Sequence, residues 1–356
     1  MTSHENNAVP RAALPKMRNI CVIGGAGFVG RHIVHVLSAE GYEVRVPTRR
    51  RERARELIVL PGVDVVEANV LDSNTLNELL SGMDAVINLV GILHETVTGR
   101  IDKPSARRGD FYEAHIELPR KIVQACAKQG VKRLLHMSAL HADATAQSAY
   151  LRSKGVGEAL VREAGLAHSE HERWYLDGPK FTHGRDLAVT VFRPSVIFGP
   201  EDSFLNQFAS LLRRLPVLAL ACGDAKLQPV YVEDVARAFV MSLENPATFG
   251  AAYDLCGPKI YTLQQLVEYV AKMHKRKRWI FTLNARLSYF QAWLLEVLPG
   301  KLMTRDDYYA LQGGSVCGGD FPFDFQPTTL EVIAPKYLAQ ASTRSPYDDF
   351  RGNARR

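Results

Sequence analysis

A chain of 356 residues, 46% apolar and 23% charged, can bury a substantial core and has the make-up of an ordinary globular protein, not a fibrous or low-complexity one. Its 44 basic and 38 acidic side chains leave a net charge of +6, too mild an excess to call for nucleic acid as a partner. Five cysteines (Cys21, Cys126, Cys222, Cys256, Cys317) are far apart, without metal-ligand spacing and mostly in apolar stretches, and read as reduced core thiols of a cytosolic chain.

Residues 1–17 lack the continuous apolar core of a signal peptide and predict a disordered tail. The first ordered stretch, Asn19 to Arg31, reads N-I-C-V-I-G-G-A-G-F-V-G-R. Ile20 to Ile23 predict a buried strand, Gly24, Gly27 and Gly30 a tight turn, and Ile33, Val34, Val36 and Leu37 one face of a helix. Glycine lets the backbone approach a pyrophosphate closely, and the free N–H groups and dipole of the helix N-terminus meet its charge. Alone, the motif points to a dinucleotide site or to a glycine-rich strand-to-helix turn of some other α/β protein.

Further strands follow at Tyr42–Val46, Val63–Glu67, Ala85–Val90, Lys132–Ser138 and Ala188–Arg193, separated by stretches with helical spacing. Alternation of this kind predicts an α/β fold over residues 18–200, a Rossmann-type doubly wound parallel sheet whose ligand lies at the carboxyl ends of the strands. Residues 201–340 lose the rhythm, with helical pieces at Phe204–Leu215, Val232–Leu243 and Thr262–Met273 and short strands near Val230 and Tyr253. They predict a smaller, partly interleaved C-terminal α+β domain, with parts returning to the first, and a tail over residues 341–356. Residues 168–186 interrupt the pattern with three histidines and several carboxylates; they read as a solvated loop, and no metal site is expected.

The chemistry-bearing signal is Tyr150-Leu-Arg-Ser-Lys154. Four residues apart on a helix, Tyr150 and Lys154 share a face, so the ammonium is expected to lower the phenol pKa and let Tyr150 exchange a proton with a substrate oxygen. Ser138, at the end of the fifth strand, would donate a hydrogen bond to the same oxygen.

These motifs resemble the extended or atypical branch of the short-chain dehydrogenase/reductase superfamily, which includes nucleotide-sugar epimerases and dehydratases. Gly24-Gly-Ala-Gly-Phe-Val-Gly30 is similar to its cofactor loop, Asn69-Val-Leu-Asp72 to its adenine-contacting acidic motif, and Asn88-Leu-Val-Gly91 to its turn after strand four. Ser138, Tyr150 and Lys154 fall on its catalytic serine, tyrosine and lysine, and Arg193-Pro-Ser-Val-Ile-Phe-Gly-Pro200 and Pro229–Val235 on its later motifs. The resemblance implies that Gly24, Gly27, Phe28, Val29, Gly30, Asp72, Val90, Gly91, Lys154 and Pro194 hold the cofactor. A narrower likeness, in Gly27–His32, Val46–Arg50, His136–His141, Tyr150–Lys154, Glu201–Ala209, Gln228–Val232 and Pro299–Asp306, is to the NAD(P)H-binding accessory subunit family of respiratory complex I. It implies a nucleotide that is structural in the mitochondrial members, and partners in a respiratory chain or in quinone synthesis.

At the end of strand two no acid is available for a ribose 2′-hydroxyl, whereas Arg31, Arg49 and Arg50 offer forked donors to a 2′-phosphate, so NADP(H) is favoured over NAD(H). His115 reads as a packed helix histidine. Leu287 to Leu298 is unusually apolar and follows the basic run His274–Arg278. It reads first as a core helix of the small domain, and alternatively as an interfacial helix over residues 286–298 that meets a membrane surface or a membrane-bound partner. The composition places the chain in the cytoplasm, or peripherally on the inner face of the cell membrane. Reductase chemistry on a carbonyl, sugar-nucleotide or quinone-related substrate stands beside a non-catalytic accessory role.

Overall fold

The computed structural model describes residues 17–95, 109–165, 187–274, 277–297 and 302–339. The expected loop at 168–186, the tail at 341–356 and residues 1–16 lie outside them. Met17, assigned above to the tail, is buried, and its N–H donates to the Glu244 carboxylate at 3.1 Å.

The first half runs β1 (Asn19–Ile23), α1 (Phe28–Ala39), β2 (Glu43–Thr48), α2 (Arg55–Ile58), β3 (Val63–Glu67), α3 (Ser73–Leu80), β4 (Ala85–Asn88) and α4 (Asp110–Tyr112). A π-helical stretch, Glu113–Glu117, joins α4 to α5 (Leu118–Gln129), and β5 (Arg133–Met137), α6 (Ala149–Gly165) and β6 (Ala188–Pro194) follow. The second half contributes β7 (Ile197–Phe198), α7 (Ser203–Arg214), β8 (Val217–Leu220), β9 (Lys226–Leu227), β10 (Val230–Tyr231), α8 (Val232–Ser242) and β11 (Ala252–Leu255). Then come β12 (Tyr261–Thr262), α9 (Leu263–Met273), β13 (Trp279–Thr282), α10 (Ala285–Val297), α11 (Arg305–Gln312) and α12 (Leu330–Leu338).

Seven strands form one parallel sheet in the order β11-β6-β5-β4-β1-β2-β3. The order reverses between β1 and β4, and their carboxyl ends therefore part to leave the crevice in which such sheets bind ligands. In β1 the run Ile20 to Ile23 is apolar and buried on both faces because helices cover both. Ile20 and Val22 pack toward α1 and α8, whereas Cys21 and Ile23 pack toward α3 and α5. Fully buried Arg133 donates to the carbonyls of Ser242 (2.7 Å) and Leu243 (3.1 Å), satisfying acceptors left open at the end of α8.

Two expectations fail in the second half. Cys256 and Cys317 form a disulfide, with Cα atoms 6.0 Å apart across 61 residues of sequence, so only Cys21, Cys126 and Cys222 are free thiols. Linear spacing could not reveal the pair, because it is made by the return of the chain: Ser315 meets Ser195, and the Cys317 N–H donates to Gln228. Helix α10 is not a core helix. It buries only Ser288 and Ala292, while Leu287, Phe290, Trp293, Leu294 and Val297 are exposed, the last at 73%. A stretch apolar all round carries no periodicity to say which face is covered. No helix among the described residues is long and apolar enough to cross a membrane.

Candidate active site

The glycine turn is built as a cradle. Gly24 has φ +89°, and a Cβ there would sit 3.2 Å from the Val90 nitrogen, so the turn after β1 lies directly against the turn after β4. A Cβ on Gly30 would come within 2.3 Å of the Gly24 carbonyl oxygen. Only glycine allows α1 to start this close to the turn. The helix opens at Gly27, extended at φ −83° and without a side-chain cap, and has no acid in its first turn. Its first N–H groups are left for an anion, and the residues present therefore fit a dinucleotide pyrophosphate.

Around this cradle the basic residues sort into two kinds. Arg31 is ion-paired with Glu56 at 2.8 Å and Glu201 at 2.6 Å. Arg49 and Arg50, just past β2, are exposed and form no ion pair among the described residues. Asp72, just past β3, caps α3: one carboxylate oxygen accepts from the Thr75 N–H (2.8 Å) and hydroxyl (2.7 Å), which holds its pKa below the ordinary range.

The serine, tyrosine and lysine singled out in the sequence meet at the carboxyl ends of β4, β5 and β6. Ser138 follows β5, is buried at 3% exposure, and its hydroxyl has no hydrogen-bond partner among the described residues. Its N–H donates to the Phe192 carbonyl, and the Leu140 N–H donates to that of Pro194, which sets the serine beside the end of β6. An orphaned buried hydroxyl is costly unless a ligand completes it. Lys154 donates to the carbonyls of Met137 (3.1 Å) and Val90 (3.3 Å), and a Cβ on Gly91 would be 3.0 Å from its Nζ. Burial pushes this ammonium down to about 8.

Tyr150, one turn earlier, packs edge-on against His115 (ring centroids 5.6 Å) and Phe111 (6.2 Å). Burial pushes its phenol up to about 12, against the expectation that Lys154 lowers it. Both groups are desolvated and the ammonium is held by two carbonyls, so neutral tyrosine is the stable form here.

Residues that the motif reading missed hold α6 in place. Glu158, one turn beyond Lys154 and 4% exposed, takes both Nε and Nη2 of Arg193, anchoring α6 to β6. Gly157 lets the helix touch the π-helical stretch, since a Cβ there would lie 1.9 Å from the His115 carbonyl oxygen. His115 is a packed histidine with a defined tautomer. Its Nε2 accepts from the Ile92 N–H (3.1 Å), so Nδ1 carries the proton toward the Ser153 hydroxyl (2.8 Å), which donates to the Tyr150 carbonyl (2.8 Å). Burial, with Lys154 next in effect, holds the ring neutral down to about 2. Asp306, from α11, accepts from the N–H groups of Ala149 and Tyr150 at 2.5 and 3.0 Å. The only sequence signal for it was its place at the end of Pro299–Asp306.

The chain is similar to known proteins over most of its length. The NAD dependent epimerase/dehydratase family matches residues 20–256. NADH dehydrogenase (ubiquinone) 1 alpha subcomplex subunit 9, mitochondrial, of Mus musculus is 30% identical over 343 residues, covering 90% of this chain and 80% of the mouse protein. Among solved structures, Pal from Bacillus thuringiensis superposes with a TM-score of 0.66 at 16% identity, covering 90% of this chain and 98% of Pal. The NADPH-dependent quinone oxidoreductase of Escherichia coli, complexed with NADPH, superposes at 0.63 and 18% identity, over 91% of this chain and 98% of that one. At those identities the likeness is one of fold. With the cradle, the parallel sheet and the match over residues 20–256 together, the chain belongs to the NAD dependent epimerase/dehydratase family.

Proposed function

We propose that the chain is an NADP(H)-dependent oxidoreductase acting on a carbonyl or quinone-related substrate at the carboxyl edge of the sheet. The observation that carries this reading is the Ser138 hydroxyl, buried and unpartnered, beside the Met137 carbonyl that holds Lys154, one turn from Tyr150. The glycine cradle from Gly24 to Gly30, with Phe28 and Val29 opening α1, would take the pyrophosphate. Arg49 and Arg50 would take a 2′-phosphate, Arg31 being occupied by Glu56 and Glu201. Asp72, Val90, Gly91 and Pro194 line the remaining carboxyl ends. When bound, the nicotinamide supplies or accepts the hydride.

The side chains do the rest. A phenol held protonated suits proton donation, so Tyr150 protonates the substrate oxygen while Ser138 donates a hydrogen bond to it. Lys154, still mostly charged at neutral pH, then offsets the phenolate left behind. A second reading rests on the exposed apolar face of α10 and on the similarity to a mitochondrial respiratory subunit. In it the chain is an accessory protein that holds NADPH and docks to a respiratory-chain or quinone-synthesis assembly at the inner face of the cell membrane. The apolar face and Arg286 of α10 would meet the membrane.

Two measurements test these readings. The purified protein is analysed for co-purifying nucleotide, and NADPH oxidation is followed with quinones and carbonyls. Tyr150→Phe is expected to lower turnover about 100-fold or more, the usual scale for a lost acid. Unchanged turnover refutes the donor role, and a nucleotide that no acceptor ever reoxidises supports the accessory reading. Flotation with anionic vesicles, lost in Trp293→Glu, tests the docking face; an intact chain that stays soluble refutes it.

A further inference from the structure

Helix α6 carries Tyr150 and Lys154, yet its first turn is held from outside the sheet-forming half of the chain. The Asp306 carboxylate accepts three hydrogen bonds there: from the Ser148 hydroxyl (3.0 Å), the Ala149 N–H (2.5 Å) and the Tyr150 N–H (3.0 Å). Ser148, the residue before the helix, supplies the local cap, its hydroxyl accepting from the Leu151 N–H at 3.3 Å. A helix N-terminus presents unsatisfied donors and a positive dipole end, so a carboxylate is its best partner. Normally that partner precedes the helix by one residue. Here Ser148 fills that place, and the carboxylate that completes the turn is 157 residues away, so the order of the turn depends in part on where α11 sits.

The next residue reaches a different segment. Asp307 bonds the His94 ring at 3.0 Å, three residues past Gly91 in the turn after β4, while the same carboxylate closes the cap of α11 through the Thr304 N–H at 2.8 Å. One dipeptide thus joins the helix of Tyr150 to the turn whose Val90 carbonyl receives Lys154. His115 connects the same two segments from within the sheet-forming half, through the Ile92 N–H and Ser153. Farther along α6, Glu158 and Gly157 anchor the helix independently of α11. Removing Asp306 would therefore loosen the turn that bears Tyr150 and leave the rest of α6 in place.

We infer that Asp306 is a positioning residue for Tyr150, and that Asp306 and Asp307 form a clasp by which the C-terminal segment sets the geometry of the reaction end; this rests on the reading of Tyr150 and Lys154 given above. Helix α11 is in turn joined to α10 by the Arg305–Glu296 ion pair (2.7 Å) and by the Tyr289–Tyr308 ring contact (centroids 5.5 Å). The clasp thus lies between the reaction end and the exposed apolar helix.

The test compares the full chain with Asp306→Ala and Asp306→Asn, by hydrogen exchange and by NADPH titration followed through nucleotide fluorescence. Asp306→Ala is expected to speed exchange at Ala149 and Tyr150 about tenfold, the size of one lost cap, with no change from Lys154 onward. It is also expected to weaken NADPH several-fold. Asp306→Asn keeps an acceptor oxygen and restores most of both. First-turn exchange equal to the parent's, or faster exchange along all of α6 without rescue by Asn, overturns the inference. So does parental NADPH affinity alongside a frayed first turn. If the parent binds no nucleotide, the functional reading fails, and the exchange arm still decides the clasp.

Discussion

Mild acidification should destabilise this protein through two histidines that the fold keeps neutral. His115 and His136 are each 2% exposed. Burial, with Lys154 next in effect, lowers His115 to about 2 and His136 to about 3. Protonating His115 on Nε2 would turn an acceptor of the Ile92 N–H into a second donor facing it, and protonating His136 on Nδ1 would do the same toward the Asn88 amide. The unfolded chain takes up these protons near pH 6.5 and the folded chain does not. Stability from this source is therefore complete above pH 6.5 and is lost as the pH falls. At pH 5.0 each histidine removes about 2 kcal/mol by linkage, so the pair removes about 4 kcal/mol, a large part of a typical folding free energy.

Urea denaturation between pH 7.5 and 5.0 reads this directly. Asp202 and Asp234, raised by burial, titrate in the opposite sense, so the histidine share is taken as the difference between variant and parent. His115→Asn is expected to remove about half of the pH-dependent loss, roughly 2 kcal/mol. A variant with the parent's full pH dependence would refute the neutral, buried assignment of His115.

Three further outcomes bear on other parts of the site. Arg49→Glu should weaken NADPH about 10- to 100-fold and NADH little, the range expected for losing a charge-assisted contact; equal loss for both in parallel titrations removes the case for NADP(H). Gly157→Ala, which on an exposed helix would stabilise by about 1 kcal/mol, should instead destabilise by about 3 kcal/mol because its Cβ meets the His115 carbonyl; the sign of the change in denaturation midpoint decides. Gly30→Ala should abolish binding of both nucleotides while the chain still folds, and retained affinity would mean that the turn does not cradle the phosphates.

The parallel sheet and its crevice were legible because each strand is a short apolar run and each crossover a helical period, signals carried by neighbours in the chain. Ser138, Tyr150 and Lys154 were legible for the same reason, each lying at a strand end or on one helix face. Their protonation was not. Spacing places Lys154 beside Tyr150, but only the packed structure shows the ammonium turned to the Val90 and Met137 carbonyls and the phenol raised. Arg31 likewise looked free in sequence and is occupied by Glu56 and Glu201.

What the sequence by itself determined is therefore the order of the sheet-forming elements, the glycine turn and the face that Tyr150 and Lys154 share, because all are local in the chain. The tertiary structure alone decided the Cys256–Cys317 bond, the exposure of α10, the Glu158–Arg193 anchor and the Asp306 cap on α6. Each of these depends on which distant segments come together and what they leave uncovered, and that is set by burial and hydrogen-bond satisfaction across the whole fold, not by any periodicity along the chain.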